Sequence, residues 1–554
     1  MWERIPGDLH TTPRLAGRVH LQLVALAVAG LAMPAWSRPL FQPEAPTAWT
    51  VLGGAPNRTS ITSEPIPSIA SARWVRTTDS AGLPITFVAH ACPVTDGEIV
   101  VAIGRVRPAG APVDSHRVLA FDAATGAPLW HAAVQAAVTD SISTPLIDTE
   151  HGAVIHASGA TLTAHDLGTG TLLWQRPLAR PIVNASPVIT TDRGNRDRIF
   201  ITDFDGFGTL ASLYCINADA FDAAQNPYQP GAIVWTVAIG GASGNSASYA
   251  PLALGGTDRV FVASVGDFGF TGGVVFAIDI ESGNIVWQAT NPAAYGFFGG
   301  LCITPDVDGN LCVFAATYAF GGDTTSASLL KLNASTGAVV WSSPCNRTQT
   351  IPAVSADGRV VVSGGIRGFG TVPSIELFED LGSSVQRLWH SALDTWTDLD
   401  NDSELDLGEF LAVGGWIAQP LVTLHAGQHE ALVSVPSPTG SFFAPPEQLV
   451  RLDLNAHPSA TEFILESAPG AGGSASVSGG LAFSIGVAGL TCFGTPAYRA
   501  DVDTDGFVTI DDLRAWERGD GRRDVDRSGV VNASDKAALV GVLRQAERAD
   551  WIPP

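Results

Sequence analysis

Three acid-rich phrases hold the residues best suited to chemistry, because each sets oxygen donors at alternate positions of a twelve-residue stretch. In DVDTDGFVTIDD the donors are Asp501, Asp503, Asp505, the carbonyl of Phe507, Thr509 and Asp512, with Gly506 at the sharp turn. DVDRSGVVNASD repeats them as Asp524, Asp526, Ser528, the Val530 carbonyl, Asn532 and Asp535. DLDNDSELDLGE offers Asp398, Asp400, Asp402, the Glu404 carbonyl, Asp406 and Glu409, with Ser403 standing where Gly is usual, a mild strain. Oxygen-only donors suit a hard cation, and carboxylates this close repel one another until one arrives. Ca2+ is therefore the expected cofactor.

Other arrangements are less specific. His425 and His429 are four apart but straddle the turn in LHAGQHEAL, so a shared face does not follow. GGASGNS around Ser243 lacks the helix that a nucleophile elbow needs. Carboxylate pairs for glycoside hydrolysis could be drawn from many loops, and no pair stands out. Six cysteines, none in a C-x-x-C pair, leave both disulfides and buried thiols open.

The elements that must position these residues are repetitive. VLAFDAATGAPLW ending at Trp130, LTAHDLGTGTLLW at Trp174, VFAIDIESGNIVW at Trp287 and LLKLNASTGAVVW at Trp341 each read as strand, tight turn and strand. Looser copies end at Trp235 and Trp389, and LVRLDLNAHPSATEFIL is a copy without Trp. Between them a second signature starts a short apolar strand at Pro93, Pro145, Pro187, Pro251, Pro352 and Pro420, with Leu301 and Ala475 at the same phase. Joined, the two predict eight four-stranded units whose inner strands begin near residues 91, 143, 185, 249, 299, 350, 418 and 473. The last unit lacks a closing strand, which ASARWVRTT around Trp74 can supply.

The expected fold is therefore all-β: an eight-bladed β-propeller of W-type four-stranded blades, its ring closed by an N-terminal strand. A small all-α loop–helix tandem follows, because Leu513 and Trp516, and then Leu539, Val542 and Leu543, recur at helical spacing after the two C-terminal loops. In such blades two sets of loops emerge on one face, and they send aromatics there: Phe204, Phe207, Phe268, Phe270, Tyr295, Phe297, Phe298, Phe320, Phe369, Phe442 and Phe443. These suit stacking on glycan rings or gripping an apolar peptide, or else they cover one another as a lid.

AFDAATGAPLW and AIDIESGNIVW resemble the repeat of pyrroloquinoline-quinone-enzyme-like propellers over residues 67–494. That resemblance implies that the repeat tryptophans pack between blades. Dehydrogenases of that family hold their quinone with an adjacent cysteine pair and a calcium bound by Glu, Asn and Asp, whereas no two cysteines here are adjacent. The C-terminal tandem resembles a type I dockerin over residues 495–554, which implies a cohesin-like protein as partner. The recognition positions of that family fall on Ile510-Asp511 and Ala533-Ser534.

A net charge of −23 excludes nucleic acid as a natural partner. Arg4, Arg14 and Arg18 ahead of the apolar run 21–35, with Ala35-Trp36-Ser37 as a cleavage site, read as a signal peptide over residues 1–37. The mature chain is then expected to be secreted or at the cell surface, the periplasm included, with no transmembrane segment. Residues 38–66 are expected as an N-terminal extension and 398–409 as an insertion in a monomeric propeller. The function expected is a binding or scaffolding module tethered by its dockerin, in polysaccharide degradation. The alternative is an enzyme, either a quinone-dependent dehydrogenase or a polysaccharide hydrolase or lyase.

Overall fold

The D-x-x-T-G-x-x-x-W phrase builds its hairpin the same way each time. The Asp122 carboxylate accepts hydrogen bonds from both the backbone N–H and the hydroxyl of Thr125, each at 2.8 Å. Asp166 does the same with Thr169, and Asp279 with Ser282. The following glycine closes the turn by donating its N–H to the aspartate carbonyl, Gly126 to Asp122 at 2.7 Å and Gly170 to Asp166 at 2.8 Å. A register shift just before the turn then sets Trp130 opposite Ala120 and Trp174 opposite Ala164.

The same phrase makes the seam between blades. A Cβ on Gly170, whose φ is +71°, would lie 2.6 Å from the Trp130 ring of the preceding blade. Gly126 stands in that relation to Trp74, Gly231 to Trp174, Gly283 to Trp235 and Gly337 to Trp287. The indole N–H then donates to the carbonyl just after the turn aspartate or asparagine: Trp130 to Leu167 at 2.8 Å, Trp235 to Ile280 at 2.8 Å, Trp287 to Ala334 at 3.0 Å. The tryptophans are scaffold, as the resemblance implied.

A computed structural model of the chain describes residues 48–496, less 138–140, 206–207, 242–243, 267–271, 291–295, 320, 367–370, 407, 426 and 438–443, and then 502, 510–519, 525 and 531–549. Its strands form eight sheets, one per blade. Blade 1 is built on Val94–Thr95, Ile99–Val106, Ser115–Asp122 and Pro128–Ala133, with Ile85–Phe87 extending its inner edge. Blades 2 to 7 span 146–177, 188–240, 248–290, 302–345, 353–390 and 421–469. Blade 8 has three strands from 476–494, and Trp74–Arg76 pairs antiparallel with the last of them, Trp74 opposite Cys492, closing the ring. The core is eight separate apolar seams, one between each pair of neighbouring blades.

Two expectations need correcting. Pro93, Pro145, Pro187, Pro352 and Pro420 sit just before or within one residue of inner strands, but Pro251 follows its strand, Ser248–Tyr249, and opens the 3-10 turn Leu252–Leu254. The inner-strand role in blade 4 belongs to the stretch after Ser246, which has no proline. The second concerns the expected N-terminal extension 38–66, whose described residues from Trp49 to Glu64 lie inside the ring. Inner-strand N–H groups of Thr95, Ile147, Tyr249, Ile303, Val354 and Val422 donate to the carbonyls of Trp49, Thr50, Pro56, Asn57, Thr59 and Ser60, at 2.8–3.0 Å. Ile61–Thr62 pairs parallel with Leu421–His425 of blade 7, and the Glu64 carboxylate accepts from Gly480 of blade 8.

Blade 3 is reached by Arg58, which is fully buried. Its guanidinium donates to the carbonyls of Ser186 and Pro187 in blade 3, Ala247 in blade 4 and Leu52 in its own segment, at 2.7–3.1 Å. Residues 49–64 thus wind round the inside of the ring and touch every blade.

The seam predicts opposite outcomes for neighbouring glycines. Gly170→Ala drives a methyl into the Trp130 ring at a strained φ and should cost about 2–4 kcal/mol. Gly168→Ala, whose nearest neighbour is 3.7 Å away, should fall within about 1 kcal/mol of the parent. Urea denaturation of the two variants, read at the transition midpoint, decides it; equal midpoints would refute the seam argument.

Candidate functional site

Where the loops before the inner strands converge, the ring has a small mouth with a cavity of ≈ 20 Å³, bordered by residues of all eight blades and floored by Leu52 of the inner segment. A belt of side chains laces it. Cys92 N–H donates to Thr144 Oγ1 at 3.0 Å, Thr144 N–H to Ser186 Oγ at 2.9 Å, and Ser186 N–H to Ser246 Oγ at 2.9 Å. Across the ring, Ile351 N–H donates to Gln419 Oε1 at 2.8 Å, Gln419 N–H to Ser474 Oγ at 3.1 Å, and Ser474 Oγ to the His90 carbonyl at 3.1 Å. Gln419 Nε2 also donates to Ser60 Oγ, tying belt to inner segment. Burial holds the His90 imidazole down to about 4, so it is neutral. Among the described lining residues there is no carboxylate. The described lining of the mouth is neutral and largely polar.

Three of the expected face aromatics, Phe204, Phe297 and Phe298, fall among the described residues. Phe297 is 1 % exposed and belongs to the seam between blades 4 and 5, so it is a core residue and not a ligand contact. Phe298 does border the mouth, with its ring 4.7 Å from Tyr318, which lies 5.7 Å from Trp416. The Arg347 guanidinium sits 5.8 Å from the Tyr318 ring centre. Phe204 is half-buried against Pro181, whose carbonyl accepts its N–H. Phe207, Phe268, Phe270, Tyr295, Phe320, Phe369, Phe442 and Phe443 lie outside the described residues. Tyr318 and Trp416 were missed, although both stand in the loop classes that supplied the other candidates.

The six cysteines resolve one open question: all are free and buried, and burial pushes Cys92 and Cys312 up to about 12 and the others higher. They are inert as thiolates. His425 and His429 do straddle a turn and part company, His425 against the Ser63 carbonyl at 2.9 Å and His429 against Asp357 at 2.9 Å. Ser243 lies outside the described residues.

The loop 398–409 gathers its acids. Asp398, Asp400 and Glu409 each bring a carboxylate oxygen within 4.8 Å of the others, and so do Asp400, Asp402 and Asp406. Ser403 takes φ +66°, the left-handed conformation for which Gly is usual at that position. Glu409 is buried, held below its ordinary value first by the Leu399 N–H, which donates to it at 2.6 Å. Local desolvation and then the charges of Asp402, Asp400 and Glu409 push Asp406 up, an unrelieved repulsion that a cation would remove. The Glu404 N–H donates to Asp402 Oδ1 at 2.8 Å.

At the C-terminus two helices, Ile510–Arg518 and Ala533–Ala549, pack around Val502, Ala515, Val525 and Leu539. Val502 and Val525 hold the same place in the two repeats, and Asp512 and Asp535 are fully buried in the first turns. Asp512 accepts from Val502 N–H at 2.5 Å, and Asp535 from Asn532 N–H at 2.7 Å. Asp501, Asp503, Asp505, Phe507, Thr509, Asp524, Asp526, Ser528 and Val530 lie outside the described residues.

The sequence family described as outer membrane protein assembly factor BamB matches residues 73–220, 219–369 and 271–403. Among solved structures, a europium-containing methanol dehydrogenase overlaps with a TM-score of 0.54 at 12 % identity, over 92 % of this chain and 96 % of that one. A quinohemoprotein alcohol dehydrogenase from Pseudomonas putida HK5 overlaps with a TM-score of 0.52 at 12 % identity, over 81 % and 77 %. BamB from Moraxella catarrhalis is 15 % identical over 71 % and 97 %, at a TM-score of 0.43 that is too loose to argue from. No curated protein matches in sequence. At these identities the structures establish the fold alone.

The floor of the mouth depends on Arg58. Arg58→Met orphans buried carbonyls and should cost about 3–5 kcal/mol. Limited proteolysis should then cut within residues 48–66 before any blade. Unchanged resistance in that segment would show that Arg58 does not hold it.

Proposed function

This chain belongs to the family of outer membrane protein assembly factor BamB, and on that premise we propose that it is an exported, calcium-loaded binding or scaffolding propeller. In this reading its C-terminal helices dock it to a cohesin-like or cell-surface partner, within a polysaccharide-degrading assembly. The observation that carries the binding reading is the occupied axis: residues 49–64 take up the inside of the ring, and the mouth above them is neutral and laced to itself. Such a surface suits recognition of neutral polar groups, and Phe298, Tyr318 and Trp416 beside it suit stacking on a glycan or peptide.

The dehydrogenase reading asks for a quinone, and the residues do not fit one. The resemblance calls for adjacent cysteines and an acidic cation site at the cofactor. Here the cysteines are dispersed and buried, and no carboxylate lines the mouth among the described residues.

Calcium is supported by donor chemistry. In the first C-terminal loop Asp501, Asp503, Asp505, Phe507, Thr509 and Asp512 would hold it; in the second, Asp524, Asp526, Ser528, Val530, Asn532 and Asp535. Buried carboxylates such as Asp512 and Asp535 require donors or a cation. In the insertion the holders would be Asp398, Asp400, Asp402, the Glu404 carbonyl, Asp406 and Glu409. When bound, the ion supplies charge neutralisation and order. Docking is supported by exposure: Ile510, Asp511, Ala533 and Ser534 all face solvent at the helix starts, Ile510 at 46 %. Export rests on residues 1–37, which lie outside the described residues; no described helix is long and apolar enough to cross a membrane.

Calorimetric titration of the full chain should give one calcium equivalent per loop. Asp512→Asn with Asp535→Asn should weaken the two C-terminal sites roughly tenfold or more and abolish capture by a panel of cohesin modules. Asp400→Asn should remove one equivalent and leave capture intact. Capture that persists in chelator would sink the docking reading.

A further inference from the structure

One position of the repeat is different in blade 2. In the other blades the residue just past the register shift before the turn is Phe121, Ile216, Ile278, Leu332, Phe378 or Leu452, each at most 2 % exposed. Each packs into the seam with the blade before it. Blade 2 puts His165 there. Two residues earlier, where blades 1, 4 and 5 carry Leu119, Phe276 and Leu330, it has Thr163. Packing alone would keep both places apolar.

Thr161, Thr163 and His165 share one face of the strand Thr161–Asp166, and that face lines a cavity of ≈ 410 Å³ between blades 1 and 2. The volume lies within the range of small-molecule sites, about 300–1,000 Å³. Blade 1 supplies Val134 and Gln135, and the outermost strand of blade 2, Leu172–Pro177, adds Gln175. Among the described lining residues there is no Asp, Glu, Lys or Arg. Burial lowers the His165 imidazole from its ordinary value, so at neutral pH this wall is uncharged too.

The second observation is an orphan. His165 is 3 % exposed, and its Nδ1 has no hydrogen-bond partner among the described residues. Buried ring nitrogens are nearly always paired, so a bare one at a cavity wall marks a missing partner. The groups beside it are hydroxyls and amides. Gln135 Oε1 accepts from the Thr161 hydroxyl at 2.7 Å and the Ala160 N–H at 3.0 Å, which directs the rest of that amide's capacity to its NH2. The Thr163 hydroxyl donates to the His156 carbonyl at 3.3 Å and keeps its lone pairs for an incoming donor.

We propose that this cavity binds a neutral polyhydroxy compound of the size of one sugar unit, with a ligand hydroxyl on His165 Nδ1 and others on Gln135, Gln175, Thr161 and Thr163. A hydroxyl both donates and accepts, so it satisfies Nδ1 in either neutral tautomer and matches amides and threonines equally. A charged ligand would bring its charge to a wall that holds no counter-charge. The cavity shares no lining residue with the axial mouth, so the inference stands whatever the mouth recognises.

The test titrates the full-length protein with glucose, galactose and mannose, and with glucuronate and glucosamine as charged counterparts, following the ring protons of its 12 histidines by NMR. The His165 signals are identified by their loss in His165→Phe, which installs the residue blade 1 carries at this position and so should fold. A saturable His165 shift is expected with at least one neutral hexose, and the charged sugars should bind several-fold more weakly. By calorimetry, His165→Phe should weaken that hexose at least tenfold, and Thr163→Val and the exposed Gln175→Ala several-fold. Leu173→Gln, exposed and outside the lining, should leave affinity unchanged. The proposal is overturned if no neutral hexose shifts His165, if a hexose binds but leaves the His165 signals still, or if glucuronate or glucosamine binds as tightly. Parent-like affinity in both His165→Phe and Gln175→Ala would overturn it as well.

Discussion

A tryptophan ring lying against a glycine in the next blade needs that glycine to be bare, and it needs the ring delivered at a fixed height. The turn phrase meets both demands at once. Its Asp and Thr tighten the turn, its Gly takes the left-handed conformation, and the strand that follows carries the Trp outward to the next blade's turn. Each copy thus acts as a socket for the blade before and a plug for the blade after. A ring of such units has seams for cores, so the fold gains stability in many small, equivalent steps rather than from one centre.

A chain of socket-and-plug units has two loose ends, and here the N-terminal residues settle both. Trp74–Arg76 completes blade 8 and sets Trp74 on Gly126 of blade 1, restoring the seam that closure would otherwise lack. The residues just before it occupy the inside of the ring. Arg58 brings a cation into that space without a carboxylate among its hydrogen-bond partners there, and burial draws its guanidinium down to about 9, still charged at neutral pH. Four carbonyl oxygens share the charge, which works because carbonyls before the inner strands of blades 3 and 4 are left over by the sheet ladders.

The filled axis changes which parts of the ring stay open. Propellers of this architecture leave a central space, and here residues 49–64 of the chain itself take it, which leaves the mouth and the outer loops as the accessible surfaces. The acidic loops hang on the scaffold differently. The insertion follows the last strand of blade 6, whereas the C-terminal pair has a small core of its own around Val502, Val525, Ala515 and Leu539.

The sequence by itself determined the blade count, the hairpins and the closing strand, because those follow from spacing within single repeats and each repeat says the same thing; the Trp seams were implied by the family resemblance. It also showed the acidic loops, whose donors are close in sequence, and the left-handed place of Ser403. Tertiary structure alone decided the rest. In blade 4 the inner strand lies where expected, near residue 249, but Pro251 follows it instead of opening it. Phe297 reads as a loop aromatic yet packs in a seam, since burial depends on what the neighbouring blade brings. The course of residues 49–64 round the axis has no local signature: its contacts join residues tens to hundreds of positions apart, and only the closed ring sets their distances.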